Sequence, residues 1–245
     1  MLLVPSHQFG CPSIQYGNEA VVNMSTWNLI KKDFYRHEKK PFQVLVLADT
    51  DVQIHNVNKV KKQFRMFADV NYKVSDTTFL DTYSLANPKN AARIRNIIES
   101  SKPNLVLFIL ANRNVEAYSR FKDLTDRTFG CHSICMTERI LGSGLGSSMG
   151  NIMMKVNLKA AGSNHTIVNG KLKTIMKDTL VLGADVTHPS GGSILGCPSI
   201  AAIVGSVDDH AGRFLGSMRL QGAGKKEVSA FHFRMCFDQL TQVDN

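Results

Sequence analysis

The chain has 245 residues, 43% of them hydrophobic, and its 29 lysines and arginines against 20 acids leave a formal net charge of +9. That length and apolar content describe a globular chain of one large or two ordinary domains, and no apolar run approaches the ~18 residues of a membrane-spanning helix. The basic balance favours a polyanionic partner such as nucleic acid, while five scattered cysteines (Cys11, Cys131, Cys135, Cys197 and Cys236) argue against a disulfide framework and point to a reducing, cytoplasmic setting.

Residues 1–40, with Pro5, Gly10, Pro12 and Gly17, read as an irregular connector, and the start MLLVPSHQFGCPS is too short and polar for a secretory signal. From Phe42, FQVLVLAD is a continuously apolar run ending in a carboxylate, the pattern of a parallel strand buried on both faces. DVQIHNVNKVKKQFRMFADV and NPKNAARIRNIIESSKP follow as amphipathic helices, and PNLVLFILAN as a second buried strand. NVEAYSRFKDLTDRTFG is expected to be helical, CHSICMT a strand, RILGSGLGSSM a flexible loop and residues 147–161 a helix. This alternation predicts a doubly wound α/β sheet whose ligand lies outside the carboxyl ends of the strands. A second unit starts near Asn169, where TLVLGADVTHP, SIAAIVGSVD and FLGSMRLQG are strand-like runs joined by turn residues, with a helix expected over KKEVSAFHFRMCFDQL. Three such strands and one helix seldom complete a domain, so this unit reads as the front portion of a larger one.

Lys155 and Lys159, in SSMGNIMMKVNLKAAGSNH, are four residues apart on one helical face. A like-charge pair at that spacing costs roughly a few tenths of a kcal/mol unless water screens it or an anion bridges it. No acidic residue lies between Glu138 and Asp178 to serve as partner. Tyr118 and Lys122 repeat the spacing in AYSRFK, just after the second buried strand. A phosphate at the carboxyl edge of the sheet would meet the phenol, Lys122 and the two later lysines, and the ring could stack on a base. Singly, each residue has a plainer role as a solvated lysine or half-buried aromatic; their joint placement is what suggests a site. Gly144, Gly146 and Gly150 do not fit G-x-G-x-x-G and no G-K-[ST] occurs, which disfavours a nucleotide-dependent enzyme. Cys131 and Cys135 lack a second ligand pair and read as buried small hydrophobes rather than zinc ligands.

Three blocks resemble those of a eukaryotic-type Argonaute protein: PSIQYGN…STWNL (12–29), YSRFK…NIMMKVNLKAAGSNH (118–165) and LGADVTHPSGG…PSIAAIVGSVD (182–208), together spanning nearly the whole chain. The resemblance implies the end of the second linker over residues 1–40, a MID domain over 41–168 and the N-terminal part of a PIWI domain over 169–245. The implied fold class is α/β, a Rossmann-like parallel sheet followed by an incomplete RNase-H-like portion. The resemblance also implies that the MID domain holds the 5′-phosphorylated end of a small guide RNA in RNA silencing. Tyr118 would stack under the first base and bond the 5′ phosphate, Lys122, Lys155 and Lys159 would neutralise the 5′ and neighbouring phosphates, and Asn151 would bridge to the backbone. Where the family commonly carries glutamine this chain has Ile134, which cannot donate a hydrogen bond, so neighbouring Ser133 is expected to take that role. Asn112, Arg113 and Asn114, in ANRNVEA, fall on the segment that checks the first base.

Asp185 in GADVTHP matches the first metal-binding carboxylate of the family's slicer site, which holds Mg²⁺ against a scissile phosphate. Glu227 falls near its mobile glutamate, with a shifted spacing. The later Asp and His of that site are expected beyond Asn245, so cleavage is not expected of this chain. The leading expectation is binding of guide RNA without turnover and without a cofactor, with target RNA and silencing-complex proteins as partners of the full-length protein and no membrane. The alternative is a metal-dependent endoribonuclease using Asp185, Glu227 and His188.

Overall fold

The computed structural model describes residues 13–17, 21–22, 32–37, 43–49, 51–72, 78–84, 91–141, 145–168 and 170–222. The chain divides into two compact units, Met1–Thr166 and Ile167–Asn245.

In the first unit, two-residue strands β1 (Ile14–Gln15) and β2 (Val21–Val22) pair antiparallel. The main sheet contains β3 (Gln43–Ala48), β4 (Thr78–Ser84), β5 (Leu105–Leu110) and β6 (Ser133–Thr137), all parallel, in the order β4-β3-β5-β6. Helices α1 (Ile54–Tyr72), α2 (Ala91–Ser101), α3 (Val115–Lys122) and α4 (Leu145–Lys159) cover both faces. On one face, Val57, Val60 and Phe64 of α1 and Met149, Ile152, Met153 and Val156 of α4 share a core with Val44, Val46, Leu105, Leu107 and Ile134. On the other, Ile94 and Ile98 of α2 and Phe121 of α3 pack on Leu45, Leu47, Val106 and Phe108. A fully buried large apolar side chain contributes roughly 1.5–3 kcal/mol. This double cover is why β5, buried at every position, reads as an uninterrupted apolar run rather than an alternating one.

Four features depart from the sequence expectation. β4, TFLDTYS, was hidden because it lies at the end of the sheet, where a strand needs no continuous apolar run. The helix after β5 does not continue as α-helix to Phe129. From Asp123 to Thr128 it widens into a π-helical turn, closed by the Phe129 N–H donating to Leu124 O at 3.2 Å and followed by Gly130 at φ +61°. The glycine-rich stretch is largely not a loop: Glu138–Leu141 form a 3₁₀ turn, and α4 begins at Leu145, enclosing Gly146 and Gly150.

Finally, the connector is anchored. Tyr16 and Phe34 are buried, and Arg36 and Ser163 exchange backbone hydrogen bonds of 2.9 and 2.8 Å. Asn157, fully buried on α4, donates its amide to Arg36 O at 3.2 Å and to Asn164 Oδ1 at 2.9 Å. Gly162 fits here because a Cβ would strike the Asn157 side-chain oxygen and stand 2.7 Å from Arg36 O. Contacts made by one or two residues leave no periodic trace in a sequence. Behind this knot, His165 lies against the Tyr16 ring, and burial pushes its imidazole below the ordinary histidine range.

The first unit ends at β7 (Thr166–Ile167). The second opens with α5 (Gly170–Lys177), which the sequence reading did not anticipate. The three expected strands follow as β8 (Leu182–Thr187), β9 (Ser199–Ser206) and β10 (Phe214–Gln221), antiparallel in the order β10-β9-β8. The helix expected over 225–240 lies outside the described residues. Among the described residues no helix is long and apolar enough to cross a membrane.

Replacing Gly162 by Ala is expected to lower stability by about 1–3 kcal/mol, the usual cost of forcing volume into a packed site. A fall in melting temperature checks this; wild-type melting would show that the connector is not held at that point.

Candidate nucleic-acid interface

Among the described residues, β6 is an end strand of the four-stranded sheet, and one of its edges is open. The Val106 N–H donates to His132 O at 2.9 Å, which turns the backbone groups of His132, and by register those of Ile134 and Met136, toward β5. Alternate residues of a strand direct their backbone groups to opposite sides, so the N–H groups of Ser133, Cys135 and Thr137 face away from the sheet.

Helix α3 flanks this edge on one side. Asn114, in extended conformation, caps it by accepting from the Ala117 N–H at 3.0 Å, satisfying one of the donors that a helix start leaves orphaned. Of the expected base-reading residues, Asn114 is therefore held by the helix it starts, while Asn112 and Arg113 are exposed. Tyr118, 44% exposed, lines an open cleft of about 480 Å³ with Leu110, Arg113, Asn114, Thr137 and Ile140.

One turn beyond Tyr118, the Lys122 Nζ donates to Ser133 Oγ at 2.7 Å and stands 3.3 Å from Asp126 Oδ2. The Ser133 hydroxyl in turn donates to Asp126 Oδ1 at 2.9 Å, closing a ring of three side chains. Partial burial acts to raise the Asp126 pKa, but the Ser133 hydroxyl and the Lys122 ammonium outweigh it and hold the carboxyl below its usual range. Ser133 is almost fully buried and gives its one side-chain proton to Asp126, so in this arrangement it orients Lys122. Ile134, at the position of the family glutamine, is buried in the core beneath α1 and α4 and points away from the edge.

Helix α4 approaches from the opposite face of the sheet. Asn151, Lys155 and Lys159 are all exposed and four residues apart. Burial chiefly, and then the charge of nearby Lys159, lower the His132 pKa, with Asp126 opposing. Lys122 thus reaches the start of β6 from one face, and α4 ends at Lys159 on the other.

Tyr118 stands at the carboxyl ends of β5 and β6, beside Leu110 and Thr137, whereas Lys122 meets Ser133, the first residue of β6. Helix α3 runs back against the strand direction, and its eight residues carry the chain about 12 Å toward the amino end. Asp126 and the outward backbone of β6 were missed in the sequence, although the four-residue step from Lys122 to Asp126 was a usable signal. Cys131 and Cys135 are free, half-buried thiols packed against the core of the α2–α3 face. Burial pushes the Cys135 thiol up to about 11, so it stays protonated.

In the second unit, Asp185 lies on β8 opposite Ala202, exposed, with Oδ1 accepting from the Val186 N–H at 2.8 Å. His188 Nδ1 is 2.9 Å from Ser199 Oγ. Glu227 lies outside the described residues. Among the described residues no three His, Cys, Asp or Glu side chains gather as a metal site requires. Of the two carboxylates expected of that site, Asp185 alone lies among the described residues.

A parallel α/β sheet whose open edge is flanked by two cation-bearing helices is an architecture for holding an anion. The Piwi domain family model matches residues 105–240, more than half of the chain, and the chain belongs to that family. Its fold is similar to that of the C-terminal lobe of a budding yeast Argonaute, at TM-score 0.74 and 22% identity, covering 93% of this chain and 52% of that one. Kluyveromyces polysporus Argonaute with a guide RNA matches at TM-score 0.74 and 23% identity, over 93% of this chain and 29% of that one. The Neurospora crassa QDE-2 MID-PIWI domains match at 0.62 and 24%, over 77% and 54%. The chain thus spans about half the length of the yeast lobe. The likeness bears out the Argonaute resemblance and the expected fold, a Rossmann-like MID sheet followed by an RNase-H-like PIWI portion.

Ser133→Ala is expected to raise the Asp126 pKa toward the unperturbed carboxylate value of about 3.9, followed through the ¹³C shift of its carboxyl. Because the folded pKa is depressed, the contribution of Asp126 to stability is present above the unfolded value and is lost as pH falls through the folded one. The variant narrows that window; an unmoved titration would show that Ser133 does not hold the carboxylate.

Proposed function

We propose that this chain binds the 5′-phosphorylated end of a single-stranded guide RNA along the open edge of β6. The observation that carries the reading is an open strand edge with outward backbone N–H groups, Lys122 of α3 held at its first residue, and the exposed lysines of α4 on the other face of the sheet. A terminal phosphate brings roughly two negative charges and several acceptor oxygens, so ammonium and backbone donors meet it in charge-assisted hydrogen bonds. Tyr118, exposed in the neighbouring cleft, offers its ring to the first base, a contact of roughly 1–3 kcal/mol. Arg113 and the exposed backbone around Asn112 lie where that base edge would be read. Lys155, one turn from Lys159, takes the next phosphate, and Asn151 the backbone beyond it.

The event is binding, with no bond made or broken. Membership of the Piwi domain family supports the reading, as does the guide RNA held by the Kluyveromyces relative. The same proposal assigns residues 1–40 to a linker, 41–168 to a MID domain and 169–245 to a PIWI portion, in a cytoplasmic silencing protein that meets target RNA and silencing-complex proteins. Endonucleolytic cleavage with Mg²⁺ by a longer protein, through Asp185 and Glu227, is the second reading; the position of Asp185 on a strand of a Piwi-family unit favours it.

Titrating matched RNAs with 5′ phosphate or 5′ hydroxyl tests the first reading. The phosphorylated strand is expected to bind at least about tenfold tighter, and Lys155→Ala with Lys159→Ala to remove most of that difference. The double variant should also flatten the dependence of log K on log salt by about 1.4, two single-strand phosphate contacts. Equal affinity for the two ends contradicts the reading.

A further inference from the structure

Helix α1 carries a second row of cations that the site above does not use. Lys59, Lys62 and Arg65 are exposed on its outer surface, and no acidic residue occurs between Asp51 and Asp69. Lys59 and Lys62 are three residues apart, which juxtaposes like charges at a cost that an external anion would reverse. From Lys59 to Arg65 the row extends about 9 Å along the helix.

The position of α1 gives the row its meaning. α1 and α4 sink their apolar faces into the same core on the same side of the sheet, so their outer faces belong to one surface of the first unit. That surface carries Lys59 and Lys62 on one helix and Lys155 and Lys159 on the next. Lysine is depleted in protein–protein interfaces, whose energy comes from buried aromatic and arginine anchors. The described side chains of α1 expose Ile54, Arg65 and Met66 but no Phe, Tyr or Trp. A regularly charged polymer with a solvated backbone suits such a face better than a protein does.

We propose that the outer face of α1, through Lys59 and Lys62, is a second contact for the phosphodiester backbone of single-stranded RNA, extending the basic surface of α4 beyond the terminal-phosphate site. The contact shares the ligand class of the proposed function but needs no 5′ phosphate, so the two stand or fall separately. It reads charge rather than sequence and lengthens the stretch of RNA held by the first unit.

The test uses the whole chain, with a 5′-hydroxyl RNA of about twenty nucleotides and uridine 5′-monophosphate as separate probes. Lys59→Gln with Lys62→Gln is expected to weaken the RNA several-fold at low salt and to reduce the slope of log K against log salt by about 1.4, at roughly 0.7 per contact. Binding of the mononucleotide and the melting temperature should stay at wild-type values, and Lys59→Arg with Lys62→Arg should restore the slope. An unchanged RNA affinity and slope in the glutamine variant overturns the proposal and leaves the face to an acidic protein or to water. Failure of the wild-type chain to bind the mononucleotide, with the slope change intact, sinks the terminal-phosphate reading and supports this one.

Discussion

Backbone N–H groups along the outer edge of β6 require acceptors, and the helices on either side bring ammonium groups instead. An open strand edge ordinarily invites another strand. Lysines are one of the devices that discourage such pairing, and here Lys122, Lys155 and Lys159 also make the edge attractive to an anion, whose oxygens accept from backbone and side chains alike. The parallel sheet sets this up. Strand order leaves β6 at the end, and α3 before it and α4 after it pack on opposite faces, so the cations of both helices flank the same strand.

One carboxylate stands among these cations. Asp126 cancels part of the Lys122 charge, yet it also accepts the Ser133 proton and fixes the ammonium against the first residue of β6. A lysine held in place loses less side-chain freedom on meeting its ligand than one that wanders in solvent. The π-helical turn over Asp123–Thr128 carries Asp126 in this arrangement, and Gly130 lets the chain turn into β6. At the far end of α4, the Asn157 knot ties residues of the connector to the last turn of the helix that bears Lys159. The stability of the fold and the position of the cations thus share the same few contacts.

Much of this was legible in the residues. β3 and β5 announce themselves because both faces are buried, and α1 because Val57, Val60 and Phe64 recur at helical spacing. Tyr118, Lys122, Lys155 and Lys159 could be singled out by their four-residue steps, and the last two also by a local lack of acids. What stayed hidden were features set by tertiary neighbours: an end strand whose polar pattern resembles a loop, two-residue strands in the connector, and glycines absorbed into α4. Ser133 shows the limit most clearly. Its residue type suggested a phosphate donor, but only the fold places Asp126 where it takes the proton. The outward row of N–H groups has no sequence signature, since every residue except proline offers one.

The central claim is that the open edge of β6 binds a terminal phosphate, and amide chemical shifts during titration with uridine 5′-monophosphate test it most directly. The account predicts that the Ser133 and Cys135 amides shift most, with Lys155 and Lys159 following, and that uridine itself leaves them in place. Shifts confined to other strands, or equal shifts with the nucleoside, would contradict it.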